Sequence, residues 1–140
     1  MATLVAAGGG GVSTISGGPV AASAPARLSD AQTGNGPSTN VVDRGGSTGP
    51  VCLRLTTTIG GGPTCTYAIQ GSPDPDDVNS WVPVQYADSA TPATLVVTTF
   101  AVTTATTVLK YIPANVPLRY IRVVYSVNTA VTNTLDAFIY

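Results

Sequence analysis

The chain has 140 residues, of which 44% are hydrophobic and only 9% charged, and this length is sufficient for one folded domain. It contains no His and no Glu, which excludes Ser-His and Cys-His nucleophiles and favours a protein that is not an enzyme. Its net charge of -1 and its scattered Arg residues argue against nucleic-acid binding, which needs clustered Lys or Arg.

The residue types favour strands and turns over helices. Thr and Val are abundant, and β-branched side chains lose rotamer freedom in a helix but fit a pleated sheet. The 15 Gly and 11 Pro residues are typical of turns. We therefore expect an all-β protein. We expect no membrane partner, because no run reaches the roughly 18 apolar residues of a spanning helix.

Residues 1–50 predict an extended or flexible N-terminal arm, because they contain many Gly residues and few apolar ones. The start "MATLVAAGGGG" lacks the basic residues and long apolar region of a signal peptide, so we expect synthesis in the cytoplasm. Within the arm, Leu4 and Val5 lie in a short apolar stretch, and Leu28 could anchor a turn. If the arm is ordered, we expect a neighbouring molecule to order it.

Residues 51–140 predict a β-sandwich of jelly-roll type, because short runs of Val, Thr and aromatic residues alternate with turn sequences. Two faces separate along these runs: Leu53 and Leu55, for example, alternate with Cys52 and Arg54. The predicted strands are 51–59, 64–70, 81–86, 94–102, 106–112, 118–127 and 132–140.

In several predicted strands both faces carry Thr or apolar residues. Leu95 and Val97, for instance, alternate with Val96 and Thr98. Free monomers usually protect exposed strands with charged side chains, so we expect much of this surface to lie against other protein. The alternative is a soluble monomer whose surface is evenly covered with Thr.

The two cysteines are expected to be reduced. "VCLRLTTTI" and "TCTYAIQ" flank "GGGP" and predict the two arms of a hairpin. In such a hairpin Cys52 and Cys65 would lie roughly 20 Å apart, beyond the limit of about 7 Å between the Cα atoms of a disulfide. Without His or further Cys, the pair is also far from a zinc site.

The acidic loop "DPDDVN" is the main candidate for ionic chemistry. Paired Asp side chains can cleave glycosides, and Asp74, Asp76, Asp77 and Asn79 offer oxygen ligands for Ca²⁺. However, Asp is common in Pro-interrupted turns, and the Gly and distant Glu of an EF-hand are missing. We therefore expect a solvated turn with no catalytic residue, cofactor or metal.

Trp81 follows this loop, and Tyr86 lies five residues further on. An exposed Trp and Tyr can stack on a sugar ring, so a carbohydrate-binding module is an alternative interpretation. A lone Trp at the start of a strand is more often an anchor in the core or at its rim. Deep burial of Trp81 would argue against sugar binding.

The segment "PANVPLRYIRVVYSV", residues 113–127, has the most regular strand pattern in the chain. Arg119 and Arg122 flank Tyr120 and are candidates for interface salt bridges or for stacking on aromatic rings. The last predicted strand runs to Tyr140, which indicates pairing in its own sheet or with a partner. The predicted core face consists of Ile121, Val123, Tyr125 and Val127.

Two parts of the sequence together resemble the small decoration (cement) proteins of tailed-phage capsids, of the jelly-roll type seen in a short-tailed phage. The shared features are a Gly-Ser-Asp loop leading to Trp, a Pro-x-Arg-Tyr-Ile-Arg-Val strand and a terminal Ala-Phe-Ile strand. The resemblance covers roughly the last seventy residues and not the Gly-rich first fifty. The matching residues are Gly71, Ser72, Asp74, Trp81, Pro117, Arg119, Tyr120, Ile121, Arg122, Val123, Ala137, Phe138 and Ile139.

The resemblance implies a bacteriophage virion protein that binds the outer capsid surface and clamps neighbouring major capsid proteins. It also implies a small homo-oligomer, with a dimer favoured over a trimer. The alternative is a carbohydrate- or receptor-binding β-module of a phage tail fibre, whereas a secreted adhesin would need a signal peptide. The interface candidates are Leu4, Val5, Leu28, Trp81, Arg119, Tyr120, Arg122 and Tyr140.

Overall fold

The computed structural model of the protein describes residues 25–45 and 49–140, with the side chains of residues 59–63 outside this description. The described part is all-β, as predicted, and its strands form one curled antiparallel sheet. Within these described residues, no helix has the length and apolar character needed to cross a membrane. The strands are β1 (Ala26–Gln32), β2 (Gly36–Pro37), β3 (Val42–Asp43), β4 (Val51–Ser72), β5 (Val82–Pro83), β6 (Tyr86–Asp88), β7 (Leu95–Val96), β8 (Phe100–Val102), β9 (Thr106–Ile112) and β10 (Tyr120–Ile139).

Two long strands, β4 and β10, form the centre of the sheet. They pair with each other along almost their whole length, and the main order of strands is β1-β10-β4-β9-β6-β7. The short strands β2 and β3 lie beside β10, and β5 and β8 lie beside β4. Every other strand is therefore positioned, directly or through a neighbour, by this central ribbon.

The predicted hairpin around "GGGP" is wrong, because residues 60–63 lie within β4. The predicted strands 51–59 and 64–70 are two halves of one strand, and 118–127 and 132–140 are likewise two halves of β10. Opposite residues 60–63, the pairing of β4 with β10 is irregular, and its register shifts between Ser126 and Val131. Bulges accommodate Gly and Pro, and the continuous pairing on both sides overrides the local turn signal.

The ribbon folds back on itself at the bulge. Tyr67 pairs with Tyr125, whereas Asn133 pairs with Thr57, which precedes Tyr67 by ten residues on β4. Ten residues of straight strand would span about 33 Å. The hydroxyl of Tyr67 nevertheless donates a hydrogen bond to Oδ1 of Asn133 at 2.7 Å. The two halves of the ribbon therefore face each other across a shared core.

The core is built mainly from the inward faces of β4 and β10. The predicted alternation is confirmed for Leu53, Leu55, Ile121, Val123 and Tyr125, all of which are buried. Val127 is the exception, with 63% of its surface exposed. Its positive φ of 50° lies within the bulged region, where the register shift reverses the direction of the side chain.

The outer strands match the sequence prediction only in part. Predicted strand 106–112 is confirmed as β9. Predicted strands 81–86 and 94–102 are each interrupted, because β5 and β8 pair with β4 whereas β6 pairs with β9 and β7. The predicted alternation of faces is also wrong around β7, since all three apolar side chains there are exposed: Leu95, Val96 and Val97.

Part of the predicted arm belongs to the sheet. β1 pairs with β10, and both Ala26 and Leu28 are fully buried in the core. Leu28 therefore lies in a strand and not in a turn, because β10 offers a free edge with which the backbone can pair. The predicted boundary at Val51 falls inside the folded sheet. Leu4 and Val5 lie outside the described residues.

Candidate interaction surface

Four of the predicted interface residues lie on the outer side of one part of the ribbon. Ile121 and Val123 point into the core, so Tyr120 and Arg122 point outward on the same strand. Arg122 lies opposite Gln70 on β4, and Gln70 lies opposite Pro83 on β5, which begins directly after Trp81. We call this surface the Arg122 face, and it consists of Trp81, Arg119, Tyr120 and Arg122.

Trp81 and Arg122 are in direct contact. The guanidinium carbon of Arg122 lies 4.1 Å from the centre of the Trp81 ring, close enough for a cation-π interaction. Its Nε donates a hydrogen bond to Oε1 of Gln70 at 3.0 Å. Partial burial lowers the pKa of Arg122, but an Arg side chain stays charged at neutral pH. The ion pairs among the described residues do not include Arg122.

Arg119 is held at the edge of the same face by Asp43. Its Nε and terminal nitrogen donate to the two carboxylate oxygens of Asp43 at 2.7 and 3.0 Å, and its guanidinium carbon lies 5.3 Å from the Tyr120 ring centre. The hydrogen bond from Arg119, with a further one from the Gly45 N–H, lowers the pKa of Asp43. Both predicted modes of Arg contact, salt bridge and stacking, therefore occur within the protein itself.

The loop before Trp81 is stabilised by its own hydrogen bonds. Oδ1 of Asp74 accepts from the Asp76 N–H at 3.0 Å, and Oδ1 of Asp77 accepts from the Asn79 N–H at 2.9 Å. These are the local turns in which Asp is common. Among the described residues, no cluster of three or more His, Cys, Asp or Glu side chains is placed to hold a metal ion.

Trp81 and Tyr86 do not form an exposed aromatic pair. Tyr86 is buried, and its hydroxyl donates to the Thr98 carbonyl oxygen at 2.8 Å. Trp81 is half-buried, and Arg122 covers one face of its ring. The predicted Trp81–Tyr86 stacking site is therefore not formed, and the other aromatic ring on this face, Tyr120, is itself in contact with Arg119. This weakens the carbohydrate-binding interpretation.

A second surface lies on the other half of the ribbon. It is an open groove of about 670 Å³ on the outer side of β9, β4 and β10, and Tyr140 lies at its margin. Arg54 lies over the Phe138 ring, 5.1 Å from its centre, and forms an ion pair with Asp136. We call it the Tyr140 groove. Its lining includes Cys52, Arg54, Leu109, Tyr111, Phe138 and Tyr140.

Of the residues that line this groove, only Tyr140 was predicted from the sequence to lie at an interface. The available signal was the run of outward apolar positions, since Leu109 and Tyr111 alternate with core residues and Phe138 precedes a buried Ile139. Their convergence depends on the register of three strands, which the sequence alone does not define.

Arg44 positions the segment that leads to the Arg122 face. Its guanidinium is buried and donates to four backbone carbonyl oxygens at 2.6 to 3.3 Å, and burial lowers its pKa. Three of these carbonyls lie in the loop between β9 and β10. This role of Arg44 was not predicted, because the segment "VDRGG" gives no indication that Arg44 is buried. The four acceptors are Gly49, Ala114, Val116 and Leu118.

Lys110 is also buried. Its Nζ forms an ion pair with Asp88 and lies 4.4 Å from the centre of the Phe100 ring. The hydrogen bond from Lys110 lowers the pKa of Asp88. The aromatic ring and the carboxylate together compensate the buried ammonium group, so this pair is structural.

Both cysteines are free thiols, as predicted. The geometric reason differs from the predicted one, because Cys52 and Cys65 lie on the same strand, β4. Burial raises the pKa of both thiols, which disfavours the reactive thiolate form.

The fold and its surfaces define an all-β protein with one curled antiparallel sheet and two separate outer surfaces of mixed aromatic, apolar and Arg character. Comparisons of this chain with protein-family models, with curated proteins and with solved structures find no match. Function is therefore argued from these surfaces and from the chemistry they offer.

Proposed function

We propose that this protein is a cement protein of a bacteriophage capsid, which binds the outer capsid surface and stabilises contacts between major capsid protein subunits. The observation that carries the proposal is the Arg122 face. Trp, Tyr and Arg are the residue types that contribute most to binding at protein interfaces. Here Tyr120 and Arg122 lie on β10, and Trp81 and Arg119 directly precede β5 and β10 and are held by contacts with Arg122 and Asp43. Little conformational entropy is therefore lost when a partner binds.

The stacking of Arg122 on Trp81 indicates what the partner offers. The guanidinium is held in place by the ring and by Gln70, yet its charge has no carboxylate partner among the described residues. A carboxylate of the partner at the centre of an interface would pair with this guanidinium, which can donate a hydrogen bond to each of the two carboxylate oxygens. We therefore expect an Asp or Glu of the major capsid protein to contact Arg122.

Two separate surfaces support a clamping role. The Arg122 face lies on the first residues of β10, and the Tyr140 groove lies at the end of the same strand. A protein that bridges two capsid subunits needs two contact surfaces, and each can bind weakly. Many equivalent contacts on a capsid then add through avidity.

We further propose that the curled sheet is a jelly-roll sandwich and that the protein acts as a small homo-oligomer, with a dimer favoured. The folded ribbon, whose halves face each other across one core, supports the sandwich. The carbohydrate-binding alternative is less well supported, because Tyr86 is buried beneath the surface that it would have to share with Trp81.

Co-sedimentation with capsids that lack the protein tests the proposal. Arg122→Ala should bind at least about tenfold more weakly than the native chain, because it removes both the charge and the stacking contact. Asp30→Ala is the control, since it removes an 80% exposed charged side chain on β1, outside both proposed contact surfaces. Equal binding by Arg122→Ala and the native chain would exclude the Arg122 face as the contact surface.

A shortened chain tests the predicted arm separately. A chain that begins at Pro25 keeps β1 and removes Leu4 and Val5. If the arm contacts a neighbouring molecule, this chain should fold normally but bind capsids more weakly. Unchanged binding would remove the arm from the proposal while leaving the Arg122 face in place.

A further inference from the structure

Within the part of the chain that the structure describes, the end of the sheet at β7 is an open edge. β7 is the last strand in the order β1-β10-β4-β9-β6-β7, and its described pairing is with β6 alone. The side chains on and beside it are apolar and exposed: Leu95 at 43%, Val96 at 36% and Val97 at 48%. Unpaired backbone groups and exposed β-branched side chains together form a template for another strand.

The chain around this edge carries no charge. Residues 89–109 contain no Asp, Glu, Lys or Arg. Soluble monomers usually protect an edge strand with charged side chains, Pro or a covering loop. In β7 and the residues directly after it, Val97 to Thr99, there is no charged residue and no Pro. This edge is therefore suited to burial against another strand without any charge repulsion.

The opposite edge of the sheet is covered by the protein's own chain. At β1, the backbone N–H of Asn40 donates to the Leu28 carbonyl oxygen at 2.9 Å, and its side-chain amide donates to the Arg27 carbonyl oxygen at 3.1 Å. A second copy therefore cannot dock its β7 against β1 in a head-to-tail chain. Of the two ends of the described strand order, β7 is left to pair with the same edge of another copy.

We propose that β7 pairs with β7 of a second copy of this chain in an antiparallel, two-fold symmetric contact. Such a contact closes at a dimer, because both copies use the same edge and the contact pairs that edge in each of them. Antiparallel pairing centred on Val97 places the two Val97 side chains opposite each other and Val96 opposite Thr98, so β-branched side chains meet across the two strands. This inference rests on the self-association included in the proposed function and names the surface responsible.

Sedimentation velocity of the full chain in the absence of capsids tests the inference. Because no capsid is present, a negative result would count against the β7 contact without bearing on capsid binding. The native chain should form a concentration-dependent dimer. Val97→Lys should weaken dimerisation about tenfold or more, because two like charges would meet near the symmetry axis. Val78→Lys is the matched control, since Val78 is 80% exposed in the loop before β5 and should leave the dimer intact.

A mixing experiment identifies the symmetric contact directly. Val97→Lys and Val97→Asp should each be mainly monomeric alone, and their equimolar mixture should recover the dimer through opposite charges across the axis. Circular dichroism of each variant confirms that the sheet is retained. A native chain that stays monomeric at every concentration, or a Val97→Lys variant that dimerises as well as Val78→Lys, would overturn the proposal.

Discussion

The hydroxyl of Tyr67 donates a hydrogen bond to Asn133 Oδ1 across the core, joining two residues that lie in opposite halves of the folded ribbon. Both side chains are fully buried, and the Tyr67 ring also makes a perpendicular contact with Tyr125, at 5.7 Å between ring centres. The hydroxyls of Tyr125 and Ser29 are in turn 2.7 Å apart. These contacts hold the two halves in register where no backbone pairing connects them.

Removing this hydroxyl should destabilise the fold. Tyr67→Phe leaves the buried Asn133 amide oxygen without its donor, and an unsatisfied buried polar group costs about 1–3 kcal/mol. We expect this loss in the free energy of unfolding measured by urea denaturation. Tyr111→Phe is the control, because the ring of Tyr111 is half-exposed. Equal stability of the two variants would show that the hydrogen bond does not stabilise the folded ribbon.

The same tyrosines predict a loss of stability at alkaline pH. Burial raises the pKa of Tyr67 and of Tyr125 above the ordinary value of about 10. The folded protein therefore holds two protons that the unfolded chain releases above that pH. The stabilisation is fully present below about pH 10 and is lost as pH rises toward the folded-state values.

The slope of this loss gives the number of buried groups that keep their protons. Each retained proton corresponds to about 1.4 kcal/mol of unfolding free energy per pH unit, and the buried thiols of Cys52 and Cys65 contribute beside the two tyrosines. Tyr125→Phe should reduce the slope above pH 10 by about 1.4 kcal/mol per pH unit, as measured by urea denaturation between pH 8 and 11. A slope that is unchanged in this variant would exclude Tyr125 as a source of the pH dependence.

Leu28 should behave as a core residue and not as part of a flexible arm. Leu28→Ala removes a fully buried side chain and should cost about 2–5 kcal/mol of unfolding free energy. Val78→Ala, at an exposed position, should cost almost nothing. A chain that begins at Val51 lacks β1, β2 and β3 and should not fold cooperatively. Near-native stability of Leu28→Ala would restore the interpretation of this region as an arm.

The alternation of side chains within strands was predictable from the sequence, whereas the pairing between strands was not. Leu53, Leu55, Ile121 and Val123 alternate with polar residues, and period-two alternation follows from strand geometry alone. The "GGGP" at residues 60–63 is a strong local turn signal. It was misleading because β10 pairs on both sides of it, and such pairing is a long-range property.

The candidate site was predictable in its residues but not in its contacts. Trp81, Arg119, Tyr120 and Arg122 stand out because Trp, Tyr and Arg are common at interfaces. The stacking of Trp81 on Arg122 joins residues 41 positions apart and depends on the register between β4, β5 and β10. The burial of Arg44 and Lys110 was not predictable, because charged residues are rarely buried without specific partners.

Replacing Arg44 should loosen the loop that leads to the Arg122 face. Arg44→Ala removes donors to four backbone carbonyls and should cost about 3 kcal/mol or more of unfolding free energy. Arg119→Ala should cost much less, because Arg119 lies at the surface. Hydrogen exchange should also accelerate in residues 114–118 of Arg44→Ala. Unchanged exchange there would contradict a positioning role for Arg44.

The thermal survival of capsids that lack the protein, measured with and without a saturating amount of the purified chain, tests the cementing role most directly. We predict saturable binding and an increase in the temperature at which the capsids lose their contents. The increase should be abolished by Arg122→Ala and preserved by Asp30→Ala. Absence of binding by the native chain, or binding that leaves capsid survival unchanged, would contradict the proposed function.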